Sequence, residues 1–353
     1  MKGQFAEGIL ILLSSPADGF LSARPEKNPV TLENDFDLYC QSYLRQWEQR
    51  ATVRGKSRTR LSAEAAQREI FPAEMQPILK HPEVVARGPD ARRRVLAYTT
   101  SNFMEHVAIL EVEVITDLCV KLVNQGMGAP LPESARQVAL TVSTDEAYHA
   151  YVAREFLGDL ERHTGIAPDP ETEGRLSILT ALNAVRRQAS PELMRTAETM
   201  VLCFAENFVT EELFGLSKET TPGDPFHVIL REHMMDEGRH QIFFQNLLGH
   251  LWSGLDEEKR TALGQLVPPY LDSFLTASSF VESQAASLRY IGFDAEAADR
   301  IAREAIETQF GTELPRKSTL SFMRNALHLV KVSSMLDHPP TRQTLIESGW
   351  VDA

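Results

Sequence analysis

The sequence predicts an all-α fold, and three observations support this. Apolar residues recur at helical spacing over long segments, strand-like alternation is scarce, and helix start and stop signals bracket the segments. The four longest segments are predicted to form the core, residues 89–253. They run over about residues 89–124, 132–163, 190–216 and 224–252.

The boundaries of these segments carry residues that typically begin and end helices. Ser190-Pro191 and Asp224-Pro225 each supply an N-cap residue and a proline for the first helical position. Gly165 follows the second segment as a stop signal. The link over residues 165–189 is long enough to cross from one end of a helix bundle to the other.

The rest of the chain is predicted to surround this core. Residues 1–33 contain several prolines and read as an irregular arm, whereas residues 34–353 are predicted to form a single helical domain. A basic loop over residues 54–60 is expected to be solvated, and Pro339-Pro340 is expected to break the C-terminal tail. Amphipathic patterns predict packing helices at about 35–54, 258–277, 295–309 and 315–332.

Composition excludes several classes of function. The chain has 353 residues, 43% of them hydrophobic, and a formal net charge of −13. This negative charge argues against binding to nucleic acid or to an anionic membrane surface. No segment approaches the roughly 20 apolar residues of a membrane span. The three cysteines are odd in number and far apart, so we expect a soluble protein of the reducing cytoplasm.

Two similar motifs carry the chemistry, Asp145-Glu146-x-x-His149 and Asp236-Glu237-x-x-His240. Residues three apart lie on the same face of a helix, so each glutamate and histidine pair can reach one metal ion together. About one Glu-x-x-His pair is expected by chance in a chain of this composition. Two such pairs, each preceded by aspartate and each in the middle of a long segment, favour a metal site.

The other two core segments each offer a glutamate on an apolar face. Glu111 shares its face with Met104, Val107 and Ile115, and Glu206 lies among Leu202 and Leu213. A carboxylate on a buried stripe is costly unless it is paired or bound to metal. Neighbouring glutamates such as Glu105 and Glu113 point away and are predicted to be surface residues.

Helix lengths support the same set of residues. Glu111 lies about as far before the end of its segment as Glu146 lies after the start of the next, so an antiparallel pair places them at one level. Glu206 and Glu237 match in the same way. Two helices with Glu-x-x-His and two with one glutamate define the ferritin-like dimetal bundle. We therefore predict a ferritin-like four-helix bundle with additional packing helices.

Three further residues are candidates beside these six. His233 lies one helical turn before Glu237, which predicts an added ligand rather than an ordinary core or surface histidine. Asp145 and Asp236 are suited to accept hydrogen bonds from the ligand imidazoles, although both also fit exposed helix positions. Thr210, one turn after Glu206, is a candidate hydrogen-bond donor to bound oxygen.

Charge balance favours two metal ions over one. Four buried glutamates carry four negative charges, which two divalent ions neutralise. Mixed imidazole and carboxylate ligands suit iron, with manganese as the alternative, whereas zinc normally takes fewer ligands in a tetrahedral arrangement.

This residue set resembles the di-iron N-oxygenases related to p-aminobenzoate N-oxygenase, over about residues 89–253. Glu111, Glu146, His149, Glu206, His233, Glu237 and His240 match that family's metal ligands. The resemblance implies that O2 is the co-substrate and that an amine is oxidised to a hydroxylamine, nitroso or nitro product. It also implies a homodimer in bacterial secondary metabolism. The amine is either free or tethered to a carrier protein.

The chain has no dinucleotide-binding glycine motif after a strand and no CxxC cluster, so we expect an external electron donor, either a reductase or a ferredoxin. Three alternatives remain open at this point. The same centre also serves a C–H hydroxylase or desaturase, a ferritin-like protein can handle iron without catalysis, and a helical scaffold needs no metal at all.

Overall fold

The computed structural model describes residues 32–55, 58–125, 130–172, 176–273, 277–310 and 321–352. Within these ranges the chain forms α-helices and shorter helical turns joined by loops, with no β-strand. The prediction of an all-α fold is confirmed. Residues 1–31 of the predicted arm lie outside the described ranges, and the first helix begins at Leu32. The single domain over residues 34–353 stays a prediction.

The N-terminal part places one long helix against the core. Helix α1 spans Leu32–Arg50, and a 3-10 turn over Thr52–Arg54 follows it. Helix α1 packs across two helices of the core. Three more 3-10 turns and a short helix, α2, then lead into the core. These are Ala65–Gln67, Ala73–Met75, Pro77–Lys80 and, for α2, Pro82–Val85.

Four long helical segments form the core, close to their predicted bounds. The first is α3, Gly88–Leu110, which continues through a π-helical turn, Glu111–Thr116, into α4, Asp117–Gln125. The second is α5, Glu133–Thr164, and the link after it contains α6, Ser177–Gln188. The third and fourth are α7, Met194–Glu219, and α8, Pro225–Gly254.

The two proline start signals have different outcomes. Pro225 is the first residue of α8, as predicted. Helix α7 begins only at Met194, because residues 190–193 form a turn in which the Leu193 amide donates to the Ser190 carbonyl at 3.0 Å. Gly165 ends α5 with a φ of 73°, the left-handed conformation that glycine adopts without steric cost.

Six shorter helices surround the core. Their bounds are Glu257–Gly264 for α9, Val267–Ser273 for α10, Ala277–Tyr290 for α11, Ala295–Phe310 for α12, Ser321–Val332 for α13 and Pro339–Glu347 for α14. The single helix predicted over residues 258–277 is wrong, because the chain is divided before Pro268 and Pro269. Proline disfavours helical geometry in the preceding residue and lacks an amide hydrogen to continue the ladder.

The broken tail predicted at Pro339-Pro340 is also wrong. Both prolines occupy the first turn of α14, where an amide hydrogen has no intrahelical partner and its loss costs little. The His338 side chain caps this helix by accepting a hydrogen bond from the Thr341 amide at 3.4 Å. The prolines therefore begin a helix here instead of ending one.

The apolar core divides into two clusters along the bundle axis. One cluster contains Leu118, Val138 and Phe244, and the other contains Met104, Phe156 and Leu230. Complete burial of a large apolar side chain stabilises the fold by about 2 kcal/mol. In α5, α7 and α8 the candidate site residues fall between the members of these two clusters, and Glu111 lies close to where the two clusters meet in the first segment, so apolar side chains close the site above and below.

The basic loop is not simply solvated, because Arg58 and Arg60 contact α5. Arg58 lies with its guanidinium 4.8 Å from the centre of the Tyr151 ring. Arg60 donates from Nε and from Nη2 to the two oxygens of Asp159, each at 2.7 Å. These hydrogen bonds, together with those of Arg162, lower the pKa of Asp159 to about 2 against its burial. None of the described helices is both long and apolar enough to cross a membrane.

Candidate metal centre

The structure brings together all seven residues that the sequence predicts as metal ligands. They come from every segment of the four-helix core, and each is at most 6% exposed. They are Glu111 from the π turn, Glu146 and His149 from α5, Glu206 from α7, and His233, Glu237 and His240 from α8.

The seven side chains form two overlapping groups. The first group holds Glu111, His149 and His233, and the second holds Glu206 and His240, while Glu146 and Glu237 belong to both. Within each group the potential ligand atoms all lie within 4.8 Å of one another. Two neighbouring metal positions that share two carboxylates are the arrangement that a dimetal carboxylate site requires.

The two shared glutamates each approach histidines from both groups. Glu146 places one oxygen 2.9 Å from His149 Nδ1 and the other 2.7 Å from His240 Nδ1. Glu237 Oε1 lies 3.6 Å from His149 Nδ1 and 3.4 Å from His240 Nδ1. Both histidines therefore direct Nδ1 to the middle of the cluster, between the two carboxylates.

His233 makes the two groups unequal. Its Nε2 atom lies 3.2 Å from Glu111 Oε1 and 3.0 Å from Glu237 Oε1. Its ring also lies over the ring of His149, with 3.9 Å between the centroids. The group on the Glu111 side thus has two imidazoles, whereas the group on the Glu206 side has one.

The two aspartates are crossed between the motifs. Asp145, in the first motif, accepts a hydrogen bond from Nε2 of His240 in the second, at 3.2 Å. Asp236, in the second motif, accepts one from Nε2 of His149 in the first, at 3.1 Å. A proton held on Nε2 leaves the lone pair of Nδ1 directed at the cluster, which is the tautomer that metal binding needs.

Three residues that the sequence did not indicate hold these aspartates in place. The Trp47 indole N–H donates to both oxygens of Asp145 at 2.9 Å. Asp236 accepts hydrogen bonds from the Thr52 hydroxyl and from Arg239. Trp47 and Thr52 lie far away in the sequence and in a part of the chain without a motif, so no local signal could have found them. Arg239 lies inside the second motif and was passed over as a variable position.

The pKa is raised most clearly for Glu111 and Glu206, the two glutamates that each belong to a single group. Burial raises the pKa of Glu111 well above its usual value, and the charges of Glu146 and Glu237 raise it further. Burial raises the pKa of Glu206 in the same way, again reinforced by Glu237 and Glu146. Four carboxylates this close cannot all stay ionised in an apolar interior without cations among them.

The pKa values of the three histidines in the cluster shift in two directions. Burial lowers the pKa of His149, but Glu146 and the hydrogen bond to Asp236 outweigh it and raise the value to about 10. The pKa of His240 is raised for similar reasons, against its burial, with Tyr43, Glu146 and Glu237 contributing. Burial lowers the pKa of His233, and the neighbouring His149 lowers it further. His233 is thus suited to act as a neutral ligand.

Several buried atoms in the cluster make no hydrogen bond within the described part of the chain. These atoms are Glu111 Oε1, Glu146 Oε1, both carboxylate oxygens of Glu237, His233 Nε2 and His240 Nδ1. Buried polar atoms are normally satisfied, and leaving one unsatisfied costs about 1–3 kcal/mol. Because these donor atoms converge from two sides, two metal ions fit the residues present.

A narrow cavity reaches the cluster from the side of His149 and His233. It has a volume of about 20 Å³, which is room for about one water molecule. Apolar side chains form most of its wall, with Tyr148, Thr52 and Glu232 among them. The apolar residues are Met104, Val107, Val152, Ile229 and Leu230.

Of the remaining candidates, Glu113 is exposed, as predicted, and Glu105 is half-buried in an ion pair with Arg154. The side chain of Thr210 lies outside the described residues, so its suggested role stays a prediction. The π-helical turn that begins at Glu111 was not predicted. Such turns occur often at functional sites, where the extra residue re-aims a side chain.

A helical bundle whose centre holds two groups of buried carboxylate and imidazole side chains defines the chain as a protein of the ferritin-like dimetal class. Residues 41–321, more than half of the chain, match the family model of p-aminobenzoate N-oxygenase AurF. The chain belongs to this family, which confirms the predicted resemblance and identifies it as an oxygenase-type enzyme.

A curated relative supports the same assignment. The chain is 26% identical over 256 residues to a 4-aminobenzoate N-oxygenase of Streptomyces thioluteus. The aligned part covers 70% of this chain and 72% of the relative. The match therefore extends well beyond the motifs and includes most of both proteins.

Proposed function

We propose that the protein is an O2-dependent non-haem di-iron N-oxygenase, which oxidises an amine to a hydroxylamine, nitroso or nitro product. The observation that carries this proposal is the pair of overlapping buried groups that share Glu146 and Glu237. In a chain of the p-aminobenzoate N-oxygenase family, this arrangement is best explained as the centre that activates oxygen.

We assign the metal ligands as follows. Glu146 and Glu237 would help to hold both ions, because each approaches histidines of both groups. Glu111, His149 and His233 would hold one ion with them, and Glu206 and His240 would hold the other. Iron suits this mixture of carboxylate and imidazole, and manganese is the alternative metal.

The protein residues prepare the site for oxygen chemistry. Bound iron would supply electrons that reduce O2, and one oxygen atom of O2 would be transferred to the amine nitrogen. Asp145 and Asp236 hold His240 and His149 in the required tautomer. The apolar clusters on both sides exclude water, which protects a reactive oxidant from side reactions.

We further propose that the amine approaches along the cavity beside His149 and His233, because this cavity reaches the cluster. Its small volume means that its walls must separate before an amine can enter. The name of the Streptomyces thioluteus relative supports an aromatic amine as the substrate, either free or carrier-tethered. We also propose an external reductase or ferredoxin as electron donor, a homodimer, and a role in secondary metabolism in the cytoplasm.

The proposal is tested by loading the protein with iron under anaerobic conditions and adding O2 with an arylamine. Mass spectrometry should find two iron ions per chain and ¹⁸O from ¹⁸O2 on the nitrogen of the product. Glu146→Gln should reduce product formation by at least about a hundredfold, because it removes a charge shared by both metal positions.

The control is Glu113→Gln, which changes an exposed glutamate of the same π turn and should keep iron content and activity. Product oxidised on carbon instead of nitrogen would replace the proposal with a C–H hydroxylase or desaturase. Fewer than about one iron per chain would remove the di-iron centre altogether, unless manganese loading restores activity.

A further inference from the structure

Trp47 lies at the start of a hydrogen-bonded chain that ends at the metal centre. It is on α1, outside the four core helices, and its side chain is only half-buried. Its indole N–H donates to both oxygens of Asp145 at 2.9 Å. One edge of the indole therefore faces the interior, and the ring extends towards the protein surface.

The series of hydrogen bonds continues from Asp145 to the metal-ligand cluster without a gap. Asp145 Oδ2 accepts a hydrogen bond from His240 Nε2 at 3.2 Å, and His240 Nδ1 faces Glu146 Oε1 at 2.7 Å. Two hydrogen bonds and one imidazole thus separate an oxidisable indole from the metal position on the Glu206 side. The protein between them is fully buried and excludes solvent.

The outer end of this series of hydrogen bonds, at Trp47, is accessible and positively charged. The guanidinium of Arg54 lies 5.3 Å from the centre of the Trp47 ring, and Arg54 is 47% exposed. Arg50 is also exposed at the end of α1, while Glu48 pairs with Arg54 at 3.0 Å. A basic edge on a chain with a net charge of −13 favours contact with an acidic partner.

Asp236, the corresponding aspartate of the second motif, is not held by an oxidisable ring of this kind. Asp236 is held by Thr52 and Arg239, neither of which can be oxidised under physiological conditions. The Arg239 guanidinium also donates to Asp145 Oδ2, at 3.4 Å, so it serves both aspartates. The indole N–H is the additional donor that Asp145 has and Asp236 lacks.

We propose that Trp47, Asp145 and His240 form the route by which electrons enter the metal centre from an acidic one-electron carrier protein. The inference rests on the proposed function, since it requires a redox-active iron pair. Each reduced carrier would give up one electron, which would tunnel through the Trp47 indole and reduce one ferric ion to ferrous. Two carriers are oxidised per oxygenation, and their two electrons with two solvent protons reduce the second atom of O2 to water.

The test measures electron transfer directly, without amine or O2. The three native cysteines are buried, so a cysteine introduced by Glu48→Cys can be labelled selectively with a ruthenium photo-oxidant. A laser flash with an electron acceptor oxidises the label, which then withdraws an electron from the ferrous centre. Transient absorption should show a short-lived tryptophan radical followed by oxidation of iron.

Trp47→Phe in the labelled protein should abolish the tryptophan signal and slow oxidation of the iron by about tenfold or more. Trp47→Gln keeps a side-chain N–H donor for Asp145 but removes the oxidisable ring, so it should be equally slow. Trp252→Phe, a buried tryptophan in contact with His338, is the control and should leave both signals unchanged.

Other results would overturn the route and leave the proposed function intact. An unchanged rate of iron oxidation in Trp47→Phe would show that electrons bypass this residue. Normal rates in Trp47→Gln would reduce Trp47 to a positioning residue for Asp145. Slowing in Tyr43→Phe alone would place the route at the buried tyrosine one turn earlier on α1. Rates are compared per bound iron, so partial metal loss does not imitate the expected effect.

Discussion

Each candidate imidazole ligand that carries an Nε2–H donates it to an aspartate from the opposite motif. This crossing ties α5 to α8 through Asp145–His240 and Asp236–His149. An aspartate in that place fixes the orientation of the ring and makes the opposite nitrogen a better electron donor. The two hydrogen bonds join two helices of the core, and we expect them also to raise the affinity of the centre for metal.

We expect Asp236→Asn to weaken metal binding by about 10–100-fold, since the amide cannot support the His149 tautomer as the carboxylate does. Competition with a coloured chelator measures this affinity directly. Asp299→Asn changes an exposed aspartate of α12 and is the matched control. Equal affinities for Asp236→Asn and the wild type would show that the hydrogen bond to His149 does not tune the site.

The same residues show how far the sequence predicts the site. All seven cluster residues and both aspartates follow from helical periodicity and from the spacing of two motifs, since both are local properties. Trp47 and Thr52 approach their aspartates from positions 98 and 184 residues away in the chain. Only the packing of α1 against the core brings them there, and no periodicity in the sequence encodes that packing.

At the scale of elements, the ends of a helix were predictable where a single glycine or proline determines the backbone geometry. Gly165 ends α5 and Pro225 begins α8, because each fixes the backbone by its own geometry. The π turn at Glu111 has no such signal, since its residues also fit a regular helix. The prolines of α10 and α14 were misread, because proline both ends one helix and begins the next.

A close contact between two outer helices gives a sharp stability prediction. Gly264, the last residue of α9, packs against α14 so closely that an added Cβ would lie 2.9 Å from Cβ of Thr341. Gly264→Ala should therefore lower the free energy of unfolding by about 1–3 kcal/mol, because one helix must move away. Chemical denaturation measures the change.

Gly158→Ala is the matched control for this substitution. Gly158 lies within α5 with no atom within 4 Å of an added Cβ, so alanine should stabilise the helix by about 0.5–1 kcal/mol. Opposite signs for the two substitutions are the expected result. A neutral Gly264→Ala would mean that α9 and α14 are packed loosely enough to separate without cost.

Over the whole molecule, the bundle holds a highly charged group between two apolar clusters, and this affects folding. Four ionised glutamates would repel one another at the centre of the fold, and metal ions bound there would relieve the repulsion. Without metal, the raised pKa values of Glu111 and Glu206 mean that protons take that place. Metal ions and protons would therefore compete for the same centre, and we expect either of them to stabilise the fold.

The stability of the metal-free protein should accordingly fall as the pH rises. Glu111 and Glu206, with raised pKa values, remain protonated in the fold above the ordinary glutamate value of 4.5. His149 and His240 remain charged above the ordinary histidine value of 6.5, and for His149 up to about 10. Across this range the folded chain binds more protons than the unfolded chain. His233, with a lowered pKa, opposes the trend but is outnumbered.

Thermal unfolding from pH 5 to pH 9, with and without chelator, tests this linkage. The metal-free melting temperature should drop steadily with pH, while the iron-loaded protein changes less, so the gap between them widens. Glu111→Gln should flatten the metal-free slope because it removes one proton-binding group, whereas Glu113→Gln, an exposed neighbour, should not. A metal-free melting temperature that rises with pH would contradict a proton-stabilised centre, because the carboxylates would then be better ionised in the fold than outside it.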